Sequence, residues 1–153
     1  KRIISPDDDN FGFARWAYAN GDALADTLGE GLHFGEWWGS GIQRGYGLEK
    51  GEKRFSLFNV KRWEDTEWGQ VAGLGVVPVL YRGSFQELMS PPNFSDGEPL
   101  LESICWKLEN KGSKASPGFM KPEGVVVFHI PAGHAFKYTP FDGDGHKGAN
   151  GAS

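Results

Sequence analysis

The stretch His33-Phe34-Gly35-Glu36-Trp37-Trp38-Gly39-Ser40-Gly41-Ile42-Gln43-Arg44-Gly45 decides between two fold classes. Its glycines superficially suggest a phosphate loop, which would imply a parallel, doubly wound protein. The spacing fails that test. After Gly39-Ser40-Gly41 the next glycine is misplaced for G-x-G-x-x-G, and Gly45, Gly47 and Gly51 interrupt the helix that should follow. A bend joining two strands is the better account. Before the bend, Phe34, Glu36 and Trp38 fall on one side of a strand, so a carboxylate shares a mostly apolar surface. Carboxylates are seldom buried without a partner, which makes Glu36 either a site residue or a solvated residue at a strand edge.

Working outward, Lys53-Arg54-Phe55-Ser56-Leu57-Phe58-Asn59-Val60-Lys61-Arg62-Trp63 brackets an aromatic strand with basic pairs. That composition suits phosphate plus a stacked base, and equally an ordinary core strand. The expected strands are Leu32–Trp38, Arg54–Trp63, Val76–Tyr81, Gly124–Ile130 and Ala135–Thr139. Upstream, the acidic turn Asp7-Asp8-Asp9-Asn10 suits a helix N-terminus. A helical period follows over Phe11–Leu28 in two pieces, broken at Asn20-Gly21 and stopped at Gly29. Ser84 with Glu87 forms a capping box for a short helix ending near Ser90, before Pro91-Pro92. A longer helix is expected from Pro99 to about Asn110. The Lys, Gly, Ser and Pro of Lys111–Lys121 predict an exposed, mobile loop, and the glycines after Pro140 a frayed tail. Together these give an α+β chain with largely antiparallel sheets and inserted helices.

The 153 residues fit one domain, and 39% apolar with 24% charged residues describes a soluble, globular chain. A net charge of -4 excludes a polybasic nucleic-acid coat but leaves room for a local basic surface. The single cysteine, Cys105, excludes an internal disulfide and fits a reducing, cytoplasmic location. It lies in a helical pattern with Leu101, Ile104 and Leu108, where packing is the expected role. No apolar run approaches the ~20 residues of a membrane span. The chain opens at Lys1 without Met, which predicts a cut or processed start.

A third stretch combines Lys121-Pro122-Glu123-Gly124-Val125-Val126-Val127-Phe128 with Phe136-Lys137-Tyr138. If these strands pair, Glu123 and Lys137 would face one pocket, an acid for metal or amine and a cation for phosphate. Asp142-Gly143-Asp144-Gly145 resembles the start of a calcium loop but lacks its later carboxylate, so a turn is expected. The histidines at 33, 129, 134 and 146 follow no zinc spacing.

In order, these stretches resemble the ATP-dependent RNA ligase family of phage and bacterial type, within the covalent nucleotidyltransferase superfamily. Phe34-Gly35-Glu36-Trp37-Trp38-Gly39 looks like motif III, and Arg54-Phe55-Ser56-Leu57-Phe58-Asn59-Val60 looks like the motif after it. Glu123-Gly124-Val125-Val126-Val127 is similar to motif IV and Phe136-Lys137 to motif V. The resemblance implies an adenylyltransferase (ATP-grasp-like ligase) domain over residues 1–140, incomplete at its N-terminus, followed by a flexible tail, 141–153. It implies ATP or AMP with Mg2+ (or Mn2+) as cofactors, and RNA or nicked nucleic-acid ends as partners.

Residue by residue, Glu36 would contact the ribose and Phe58, or alternatively Phe55, would stack on adenine. Glu123 would hold the metal, Lys137 would contact the α-phosphate, and Arg2 would belong to a basic nucleotide-binding segment. Motif V usually carries two cations, and here protonated His134 would substitute for the second. The family's nucleophile, a lysine in K-x-D-G or K-x-H-G, has no counterpart in this sequence. This chain is therefore expected not to form the lysine–AMP bond. Two alternatives remain: a non-catalytic nucleotide- or RNA-binding remnant of the family, and a glycoside-acting β protein using Glu36 and Glu123.

Overall fold

A single aspartate organises the first helix. In the computed structural model, which describes residues 3–90 and 99–141, the Asp9 carboxylate accepts hydrogen bonds from the N–H groups of Asn10, Ala14 and Arg15 at 2.7, 2.7 and 3.1 Å. Ala14 and Arg15 lie in the first turn of α1 (Phe13–Ala19), where backbone donors have no partner within the helix. Arg15 Nε lies 3.6 Å from Asp9 Oδ2, and the Asp9 side chain is only 6% exposed. Burial pushes the Asp9 carboxyl up, but the N–H bonds and Arg15 together outweigh it and hold it below the ordinary aspartate value. A group held low in the folded state stabilises above its unfolded-state pKa, and that stability is lost as pH falls through the folded value. Asp9→Asn should therefore melt earlier than the parent near neutrality. The gap should close in acid below the ordinary aspartate range, and a gap that persists there unchanged counts against this account.

The chain divides into two compact units, Lys1–Val79 and Leu80–Ser153, which are described separately. In the first, α2 (Gly21–Leu28) follows the predicted break at Asn20 and stops at Gly29, whose N–H bonds the Ala25 carbonyl at 2.9 Å. A three-stranded sheet runs in the order β1 (Gly35–Gly39), β2 (Lys53–Leu57), β3 (Leu74–Val76). Strands β1 and β2 are antiparallel, as expected, but β2 and β3 are parallel. One pairing of the first sheet thus departs from the predicted antiparallel pattern.

The reason lies in the segment expected to continue as strand to Trp63. It leaves the sheet after Leu57 and forms a helical turn, α3 (Val60–Trp63), immediately after Asn59. The turn brings Trp63, 6% exposed, back into a cluster with Leu28, Phe55, Leu57, Val71 and Leu74. A strand advancing ~3.3 Å per residue would have carried Trp63 away from that core. The connection then returns to the same end of the sheet, as a parallel pairing requires. The expected strand Val76–Tyr81 is represented only by Leu74–Val76, because Pro78 has no N–H for a ladder. The first strand begins at Gly35, and Leu32 before it is exposed.

In the second unit the capping box forms as expected around α4 (Phe85–Met89). Ser84 Oγ accepts from the Glu87 N–H at 3.1 Å and Glu87 Oε2 accepts from the Ser84 N–H at 3.3 Å. Helix α5 (Leu100–Lys111) buries Leu101, Ile104, Cys105 and Leu108 against Leu88 and Val125. Cys105 is packing, and burial, with Glu102 nearby, pushes its thiol up. Strands β4 (Val125–His129) and β5 (His134–Tyr138) form an antiparallel pair.

Two local expectations are corrected here. The loop predicted to be exposed and mobile buries Ser113 and Ser116. It is tied by bonds from Ser113 N–H to Phe119 O (2.8 Å), Phe119 N–H to Ser116 O (3.1 Å) and Ser116 N–H to Ser113 Oγ (3.2 Å). Phe141, placed in the frayed tail, packs on the α5 cluster. The rest of that tail, with the Asp142–Gly145 turn and His146, lies outside the described residues, as do Pro91 and Pro92. Among the described residues no helix is long and apolar enough to cross a membrane.

Candidate nucleotide-binding site

Strand alternation sorts the side chains of β1 and β2 onto two faces. Trp37, Phe55 and Leu57 turn inward onto the α1–α2 side, where Trp37 meets Phe13 and Trp16 at ring-centroid distances of 5.6 and 5.1 Å. Glu36, Trp38, Arg54 and Ser56 occupy the other face, with Glu36 directly opposite Ser56 and Trp38 opposite Arg54. The ladder continues one step further, with the Phe58 N–H bonding the Phe34 carbonyl at 2.9 Å. Of the two aromatic candidates for stacking, Phe55 is a core residue at 9% exposure and Phe58 is 52% exposed. Glu36 is exposed, and among the described residues its carboxylate has no hydrogen-bond or ion-pair partner. Strand parity thus sets Glu36 and, one step past β2, Phe58 on the same sheet face, and both are exposed.

The lower part of that face is rigidly built. Trp38 is buried, its Nε1–H donates to Ser56 Oγ at 2.9 Å, and Tyr46 meets its ring edge-on at 5.5 Å. The Arg54 guanidinium lies 5.5 Å from the Trp38 ring centroid and 2.6 Å from Glu52 Oε1. The Arg54 hydrogen bond outweighs desolvation and holds Glu52 below the ordinary glutamate value. Gly39 ends β1 at φ 123°, where an added Cβ would sit 2.7 Å from the Glu52 carbonyl oxygen. Two of the basic residues flanking the aromatic strand are therefore committed to structure. Arg54 holds Glu52 and Trp38, while Arg62 stacks 4.4 Å over Trp63 and donates to the Leu28 carbonyl at 3.3 Å.

In the second unit the strands carrying the other candidates do pair. Lys137 Nζ donates to Glu123 Oε2 at 2.9 Å, with the two side chains 59% and 25% exposed. Glu123 reaches this position because Gly124 follows it at φ 149°, and a Cβ there would collide with the Tyr138 carbonyl oxygen. His134 does not join them. Being three residues from Lys137 along β5, it points to the opposite face, and its Nδ1 lies 2.6 Å from the Ala132 carbonyl oxygen. The suggested second cation of motif V is thus on the wrong side of the strand. Arg2 lies outside the described residues.

For a divalent metal the fit is partial. Glu123 offers a carboxylate beside a lysine, and no group of three metal-ligating side chains occurs among the described residues. Such a donor set suits a cation that arrives coordinated by phosphate, since Mg2+ commonly takes one or two carboxylates plus substrate oxygens.

Sequence reasoning missed Ser56 and the structural role of Trp38. Both were signalled by parity, since residues 54, 56 and 58 must share a face, and by an indole N–H that needs an acceptor when buried. Compared with known proteins, the chain matches no family model, no curated protein and no solved structure.

Proposed function

We propose that this chain is an RNA-ligase-type nucleotidyltransferase domain, serving the transfer of AMP from ATP in the joining of RNA ends. The observation that carries this is the open face of β1–β2, where Glu36, without a partner among the described residues, and the exposed Phe58 share one side. In this account Phe58 stacks on the adenine and Glu36 accepts from the ribose. Taken by itself, the second unit offers the Glu123–Lys137 pair, in which the resemblance gives Lys137 the α-phosphate and Glu123 the metal. The metal, when bound, supplies charge neutralisation at the phosphates. Support comes from the ordered motifs, the accessibility of Phe58 and the Glu123–Lys137 pair. The adenylylated lysine is absent from this chain, and no residue in it takes that place.

Titration with AMP and Mg2+ tests the proposal. The chain should bind AMP, and Phe58→Ala should weaken binding by roughly 1–3 kcal/mol, the usual value of base stacking. Incubation with α-labelled ATP and Mg2+ should leave the chain unlabelled. Unaltered AMP affinity in Phe58→Ala, or covalent label on the chain, would overturn the assignment of roles. Sealing of an RNA whose 5′ end is already adenylylated separates an enzyme domain from a binding remnant, because that step no longer needs the lysine. The glycoside reading is disfavoured by the Glu123–Lys137 ion pair, for which it has no role.

A further inference from the structure

Resting on the nucleotide reading above, we propose that Ser56 is a sugar-reading residue of this site, its hydroxyl donating to a ribose hydroxyl that Glu36 holds. Ser56 stands directly across the ladder from Glu36. The bonds flanking this pair, Phe58 N–H to Phe34 O and Ser40 N–H to Glu52 O, set it in the hydrogen-bonded phase of the antiparallel ladder. The two Cα atoms are then about 5.5 Å apart with both side chains on the open face. Phe58 follows two residues along, at roughly 6.6 Å of strand rise, a span comparable with that between base and sugar hydroxyls in a nucleoside.

Trp38 is what turns Ser56 into a directed donor. Its indole N–H occupies a lone pair of Ser56 Oγ at 2.9 Å, which fixes the side chain. Among the described residues the Ser56 hydroxyl hydrogen then has no acceptor. The face therefore presents an acceptor-only carboxylate opposite an oriented hydroxyl donor. A sugar hydroxyl is both donor and acceptor, and it can give its hydrogen to Glu36 while receiving one from Ser56. A deoxygenated position can do neither.

The test measures binding of AMP, 2′-deoxy-AMP and 3′-deoxy-AMP to the full chain, to Ser56→Ala and to Ser56→Thr. The wild-type chain should prefer AMP over at least one deoxy form. Ser56→Ala should cut that preference by about fivefold, the effect of one lost hydrogen bond. Ser56→Thr, which keeps the hydroxyl and suits a strand, should restore it. A preference unchanged in Ser56→Ala overturns the inference while leaving the nucleotide reading standing. So does a parallel weakening of AMP and both deoxy forms, which marks Ser56 as mere support for Trp38. Equal wild-type binding of all three nucleotides also overturns it, and absence of AMP binding overturns both proposals.

Discussion

Leu57→Ala lowers the stability of the first unit by about 2–5 kcal/mol, whereas Phe58→Ala, one residue on, changes it by no more than about 0.5 kcal/mol. Leu57 is fully buried, at 0% exposure, on the central strand of the sheet. It packs in the cluster that joins Leu28 of α2, Trp63 of α3 and Leu74 of β3, so one side chain ties two helices to the sheet. Its register partner on β1 is Gly35, which has no side chain to move into the space left by truncation. A cavity that cannot collapse places the cost in the upper part of the range. Folding stability averages roughly 0.05–0.15 kcal/mol per residue, so a unit of this size has little margin for such a loss.

Urea unfolding followed by tryptophan fluorescence checks the expectation, since Trp63 sits in the same cluster. The midpoint should fall in Leu57→Ala with the slope preserved, which reports a change in stability rather than in the unfolded chain. Equal midpoints for the Leu57 and Phe58 variants would mean that β2 does not present these faces.

That contrast also shows what could be read from the residues alone. Period-2 alternation puts Phe55 and Phe58 on opposite faces, but it does not say which face is inside. Burial is decided by α1 and α2 packing on one side, and that is tertiary information. The capping box at Ser84 and Glu87 was legible because its spacing is local and its hydrogen bonds satisfy helix-end donors without outside help. Val60–Trp63 was misjudged because its β-branched and aromatic composition suits a strand, while Asn59 before it suits a helix start. Packing of Trp63 settled the matter for the helix. That Glu123 and Lys137 would share one side was conditional on strand pairing, and β4 and β5 do pair; their direct ion pair was not foreseen. His134 falls on the face of β5 opposite Lys137 because an odd spacing along a strand reverses the side chain.

Gly124→Ala should be the most disruptive small substitution in the second unit, costing about 2–6 kcal/mol. Two penalties add, because φ 149° is strained for an L side chain, and because the new Cβ meets backbone on the neighbouring strand. Each is worth about 1–3 kcal/mol. The obstacle is the Tyr138 carbonyl together with Thr139 Cα at 2.9 Å, neither of which can rotate away as a side chain would. The strain is relieved only if β4 and β5 part at this end, and parting them separates Glu123 from Lys137. Gly118→Ala is the matched control: Gly118 has φ 91° but nothing within 4 Å of an added Cβ, so it carries the conformational penalty alone. Lys137→Met is the second control, removing the half-exposed ion pair at about 0–1 kcal/mol without touching the backbone. Hydrogen exchange should show loss of protection across Val125–Tyr138 in Gly124→Ala and not in either control. Equal stability of the Gly124 and Gly118 variants would show that the close approach at Tyr138 does not shape this end of the hairpin.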